Sequence, residues 1–121
     1  MFRTLTAMMA GLVMIASLAG CSTGTSEGVS VPPEAIIIDV RSTQEYADGH
    51  LEGATLLDVT SGQLAAELPN LDPEATYFVY CRSGNRSAKA AALMADAGFT
   101  AVTDLGSLQQ AAQATGIAIV R

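Results

Sequence analysis

The sequence predicts an α/β fold in three layers, with helices on both faces of a central, mainly parallel sheet of about four to five strands. Three observations lead there. Apolar runs too short for helices and rich in Val and Ile recur along the chain, Ile36-Ile37-Ile38 being the clearest, and such runs suit strands buried on both faces. Segments with helix start and stop signals separate them, which is the pattern of parallel strands joined by right-handed crossovers. The chain has 121 residues, half of them hydrophobic, enough for one compact core.

Taken in order, Ala35 to Val40 reads as a central strand. Ser42 with Glu45 three residues on is a capping box, so a short helix begins there and stops at the turn Asp48-Gly49. Ala54 to Val59 is a second strand, Leu64 to Leu68 a short helix ended by Pro69, and Thr76 to Tyr80 a third strand that delivers Cys81 at its C-terminal end. Ser87 to Ala97 is Ala-rich, holds no β-branched residue and is followed by Gly98. It is the strongest helix, with Ala91, Leu93 and Met94 expected in the core. Ala101 to Leu105 is a fourth strand, Leu108 to Ala114 a last helix and Ile117 to Val120 a closing extended segment.

Ahead of the domain, Arg3 is followed by an uncharged apolar stretch, Leu5 to Ala19, ending in Leu18-Ala19-Gly20-Cys21. This is the layout of a secretory leader and is short for a membrane span, which needs about 20 apolar residues. The tetrad resembles the bacterial lipobox. That resemblance implies removal of residues 1–20, lipidation of Cys21, and an exported domain anchored to the membrane of a bacterial cell envelope, on its periplasmic or outer face. An uncleaved anchor or a plain signal peptide is the alternative. Residues 21–33, rich in Ser, Thr, Gly and Val and closing with Pro32-Pro33, are expected to be a flexible tether to a domain at 34–121.

Twelve acidic against six basic residues give a net charge of -6. No general basic surface is left to neutralise phosphates, which excludes nucleic acid as a partner. With Cys21 assigned to lipid, Cys81 has no intrachain partner, and a lone thiol in a compartment where disulfides form calls for a chemical explanation.

The segment Cys81-Arg82-Ser83-Gly84-Asn85-Arg86-Ser87 supplies one. It lies beyond the carboxyl end of a strand and before a helix, where ligands bind in open α/β sheets. Backbone N–H groups at the helix start, with Gly84 letting the chain curl, can cradle an anionic group. The same field, with Arg82, Arg86 and Lys89 close in sequence, favours the thiolate of Cys81, the nucleophilic form.

These residues closely resemble the active loop of rhodanese-like sulfurtransferases, including small single-domain periplasmic members. Upstream, Asp39-Val40-Arg41-Ser42, Glu45-Tyr46, Gly49-His50-Leu51 and Gly53-Ala54 resemble the family's first signature, and Ala97-Gly98-Phe99 with Leu105-Gly106 its closing part. The resemblance covers about Ala35 to Val120 and implies a rhodanese-like fold. It also implies that Cys81 attacks the outer sulfur of a small anionic donor such as thiosulfate, releases sulfite and holds a persulfide until a thiol or cyanide acceptor removes it. The amides from Arg82 to Ser87 would stabilise the persulfide, Arg86 would complete the cradle, and Arg82 would draw anions in. No metal or other cofactor is required. Asp39, Arg41 and Glu45 are expected to form an ion network that fixes the strand-to-helix corner, and His50 to be structural, in a turn. Two departures from the family stand out: the strand and helix that often precede the Asp-Val-Arg strand are missing, which leaves a sheet edge short, and Gly106-Ser107-Leu108 stands where relatives often have a run of glycines.

Two other functions compete. Rhodanese-like folds also serve as binding or sulfur- and redox-sensing modules, because fold alone does not set function. Related cysteine phosphatases use a similar loop, but with five residues between cysteine and arginine, whereas four lie between Cys81 and Arg86.

Overall fold

The computed structural model describes residues 28–121. The apolar leader and Cys21 lie outside the described residues, and no helix among the described residues is long and apolar enough to cross a membrane.

A four-stranded parallel sheet organises the domain. Strand β1 (Ile36–Asp39) lies between β3 (Thr55–Leu56) and β4 (Thr76–Cys81), and β5 (Ala101–Ser107) flanks β4 on its other side. The expectation of a mainly parallel sheet with helices between its strands holds. The triple isoleucine is central because both faces of β1 are covered. Ile38 packs in one core cluster with Leu64, Val79, Ala90 and Met94, and Ile37 in another with Leu51, Phe78, Leu105 and Ala111. Between the strands run α1 (Thr43–Asp48), α2 (Gln63–Glu67) with a tight turn at Leu68–Asn70, α3 (Asn85–Asp96) and α4 (Leu108–Thr115).

Ser42 and Glu45 form the expected capping box at the start of α1. Helix α3 ends where Gly98 takes a left-handed φ of 93°, which lets the Phe99 N–H reach back to the Met94 carbonyl at 3.0 Å. The second strand is shorter than Ala54 to Val59. Only Thr55 and Leu56 pair as a strand, although Leu57 and Val59 still donate to the carbonyls of Asp39 and Val40. The closing segment pairs only at β6 (Ile119–Val120), antiparallel to a strand not foreseen, β2 (His50–Leu51). A two-residue strand has too little pattern to be read locally; it exists because its partner lies at the far end of the chain, His50 pairing with Val120 and Leu51 with Ile119.

The chain before β1 differs from expectation. Val29 and Val31 pack against the second core cluster, and the Val29 N–H donates to the Ala114 carbonyl at 2.7 Å. The stretch expected to be a free tether up to Pro33 is therefore attached to the domain from Val29 on, because two valines there find apolar partners at the end of α4. This segment adds no strand. The sheet ends at β3 on one side and at β5 on the other, with Thr103 and Asp104 exposed on β5, and a charged residue on an edge strand disfavours pairing with a further chain.

Candidate active site

Strand β4 is buried from Tyr77 to Cys81 and sits between β1 and β5, so its carboxyl end is fixed on both sides. The Cys81 side chain is fully buried at that end. One residue later in the pairing, β5 carries a bulge: Val79 faces Asp104, but Cys81 faces Ser107. Gly106 occupies this irregularity at φ +82°, where a Cβ would collide with the Gln110 side-chain oxygen, so no other residue fits without moving the helix cap. Ser107 then caps α4 through a second capping box with Gln110. The departure Gly106-Ser107 is thus a bulge glycine followed by a helix cap.

From Cys81 the chain curls through Arg82 and Ser83 to Gly84, which takes the left-handed φ of +94° as N-cap of α3. This conformation, disfavoured for residues with a Cβ, turns the Gly84 N–H onto the Cys81 sulfur at 2.9 Å. Buried Ser87, one turn into α3, places its hydroxyl 3.5 Å from the same sulfur and 3.1 Å from the Gly84 carbonyl, so its one proton can go to either acceptor. Burial pushes the Cys81 thiol up. The Ser87 hydroxyl and the amides of Ser87, Ser83 and Gly84 outweigh that and hold it below the usual thiol range, with the positive end of the α3 dipole behind them. The ring of donors fits a single anionic sulfur.

Of the other loop residues, Arg82, Ser83 and Asn85 are exposed. Arg86, expected to complete the cradle, makes its hydrogen bonds to Glu45, and its charge still interacts with that of Cys81. Its two terminal nitrogens hold both carboxylate oxygens of Glu45, at 2.7 and 2.9 Å, a bidentate geometry that ties the start of α3 to α1. Glu45 therefore departs from the expected network with Asp39 and Arg41. Arg86 first, assisted by Ser42, holds the Glu45 carboxyl at about 2, and Glu45 in turn raises Arg86.

Asp39 and Arg41 do pair, both buried, at 2.6 Å. Arg41 also donates to the Gly49 carbonyl at 2.6 Å, so the pair fixes the corner between β1 and α1 as expected. The third member is Tyr80 rather than Glu45: its hydroxyl donates to Asp39 at 2.8 Å and accepts from the Leu51 N–H at 3.0 Å. Burial raises the Tyr80 hydroxyl well above its ordinary range, so it stays a donor. His50 lies in β2, stacked on Tyr46 with ring centroids 3.7 Å apart and its Nδ1 2.8 Å from the Tyr46 carbonyl. It has no contact with Cys81 and is part of the packing of this corner.

A buried thiol ringed by the donors of a strand-to-helix loop, with the Asp-Val-Arg corner beside it, coincides with the family comparison: residues 27–113 match the model of the rhodanese-like domain. The chain belongs to the rhodanese-like domain family. Among its relatives, the thiosulfate sulfurtransferase GlpE of Pseudomonas entomophila is 43% identical over 68 residues, covering 56% of this chain and 61% of that protein. The GlpE of Pseudomonas putida is 37% identical over 87 residues, covering 64% and 77%. Among solved structures, a rhodanese with anions from E. coli superposes with a TM-score of 0.59 at 27% identity, over 72% of this chain and 98% of that one. The Rhodanese_3-like domain of the Alr3790 protein from Anabaena sp. gives 0.62 at 27%, over 71% and 98%.

Within this rhodanese-like domain the structure brings Ser83, Gly84 and Ser87 together at the Cys81 sulfur, and sequence reasoning missed Tyr80. A signal for it was available: a tyrosine in a strand otherwise buried needs a partner for its hydroxyl, and Asp39 stands in the adjacent strand at the paired position.

Proposed function

We propose that this domain is a sulfurtransferase that carries sulfane sulfur as a persulfide on Cys81. The observation that carries the reading is the ring of donors around the Cys81 sulfur. It holds the thiol below its usual range and can hold the same negative charge after the sulfur has grown by one atom. The thiolate attacks the outer sulfur of thiosulfate. The new bond joins the Cys81 sulfur to the outer sulfur of thiosulfate, the sulfur–sulfur bond of thiosulfate breaks, and sulfite leaves with the bonding pair. A thiolate or cyanide then attacks the outer sulfur, and Cys81 leaves again as thiolate. Arg82, exposed beside the nucleophile, draws the anionic donor in. Arg86 acts through Glu45 as a brace for the loop. No proton has to be moved to Cys81 during the cycle, so His50 has no part in it.

The domain works at a bacterial cell envelope, held there by a lipid on Cys21. Support comes from Leu18-Ala19-Gly20-Cys21 and the apolar run before it. The described chain enters beside Ala114, at the end of α4 opposite the active loop.

A steady-state assay with thiosulfate and a thiol or cyanide acceptor tests the activity. Turnover is expected from the native domain and none from Cys81→Ser. Equal turnover by both, or complementation of a deletion strain by Cys81→Ser, would overturn the enzyme in favour of a binding or sensing module. Aryl phosphate hydrolysis is expected to be absent, since a loop with four residues between Cys81 and Arg86 lacks room for the three equatorial oxygens of a phosphoryl group. Palmitate labelling lost in Cys21→Ser supports the anchor, and labelling retained refutes it.

A further inference from the structure

Beside the loop opens a cleft of about 490 Å³ lined by Arg41, Glu45, Asp48, Arg82, Leu108 and Gln109. Four of these six carry charge, but two are already neutralised, Arg41 by Asp39 and Glu45 by Arg86. What remains is one cation, Arg82, and one anion, Asp48, both exposed and neither in an ion pair among the described residues. Asp48 stands in the last turn of α1, where no basic residue lies. A carboxylate is unfavourable at that carbonyl end, so the position gains from a cation brought by a ligand. The same carboxylate repels a small dianion such as thiosulfate even as Arg82 attracts it. A purely anionic ligand therefore satisfies half of the cleft, and a ligand with both signs satisfies all of it.

We infer that the acceptor that unloads Cys81 is a zwitterionic aminothiol, its carboxylate facing Arg82 and its ammonium facing Asp48. The inference rests on the sulfur-transfer reading and names the substrate class of its second half-reaction. The acceptor thiolate bonds to the outer sulfur of the persulfide, the sulfur–sulfur bond to Cys81 breaks, and the electron pair returns to Cys81. The acceptor leaves as a persulfide with no net oxidation or reduction. Gln109 is exposed in the same wall and offers a neutral amide to either end group.

The test loads the domain with thiosulfate, verifies the load by mass, removes excess donor and follows a single discharge. Four small thiols are compared at equal thiolate concentration: cysteine, cysteamine, mercaptopropionate and mercaptoethanol. The native protein is expected to discharge to cysteine about fivefold faster than to mercaptoethanol, from two partly exposed charge contacts. Asp48→Asn should bring cysteine down to the level of mercaptopropionate, and Arg82→Gln should bring it down to that of cysteamine. Equal rates for all four thiols, or variants that slow all four by one common factor, overturn the inference while leaving sulfur transfer intact. A protein that takes up no sulfur from thiosulfate before mixing overturns the sulfur-transfer reading itself, and the inference with it.

Discussion

Glu45→Gln isolates the brace between α1 and α3. The variant keeps the shape of the side chain and its capping contact with Ser42 but removes the charge that holds Arg86. In the native state Glu45 is held at about 2 against an ordinary 4.5, which at about 1.4 kcal/mol per tenfold amounts to about 3 kcal/mol in favour of the ionised folded form. Part of this belongs to Ser42 and survives in the variant, and both partners are partly solvated, at 29% and 21% side-chain exposure. The loss at neutral pH should therefore be about 1 to 2 kcal/mol, or about 5 to 15 °C in melting temperature for a domain of this size. Because the folded value is depressed, the stabilisation is fully present above about pH 4.5 and disappears as pH falls towards about 2. Urea unfolding of native and variant domains at several pH values between 2 and 7 should show a gap that closes on acidification. A gap that persists unchanged at pH 2 would show that packing rather than charge holds the brace, and no gap at pH 7 would refute the brace altogether.

Asp39→Asn should be more damaging, by about 3 to 5 kcal/mol, since it leaves the buried Arg41 cation without its counter-charge and weakens the bond from Tyr80. Chemical denaturation at pH 7 reads this directly, and a loss below about 1 kcal/mol would contradict the corner described here. Ser87→Ala removes the hydroxyl beside the Cys81 sulfur, so the thiol should titrate higher. The pH midpoint of iodoacetamide alkylation should move up relative to native, and an unmoved midpoint would assign the lowered thiol to the amides alone.

The fold was legible where local pattern and burial agree. Ile36-Ile37-Ile38, the strand ending at Cys81 and the Ala-rich helix each carry their own periodicity, and the two capping residues Ser42 and Gly98 mark boundaries that the structure keeps. The loop was legible because nucleophile, glycine and helix start are contiguous in sequence. What escaped depends on partners far apart in the chain. Whether Arg86 turns to the sulfur or to Glu45 is decided across 41 residues, and so is the bond of Tyr80 to Asp39. The short pairing of His50-Leu51 with Ile119-Val120 likewise has no local signature. Val29 and Val31 looked like tether because their neighbours are polar and their apolar partners lie at the far end of the chain.

The central claim is that Cys81 itself carries the transferred sulfur. Intact-protein mass spectrometry after thiosulfate treatment, followed by peptide mapping, tests it most directly. One added sulfur, about 32 Da, is expected on the peptide containing Cys81, removable by a thiol or cyanide and absent from Cys81→Ser. No adduct on a reduced and alkylatable Cys81, or an adduct that persists in Cys81→Ser, would contradict the account.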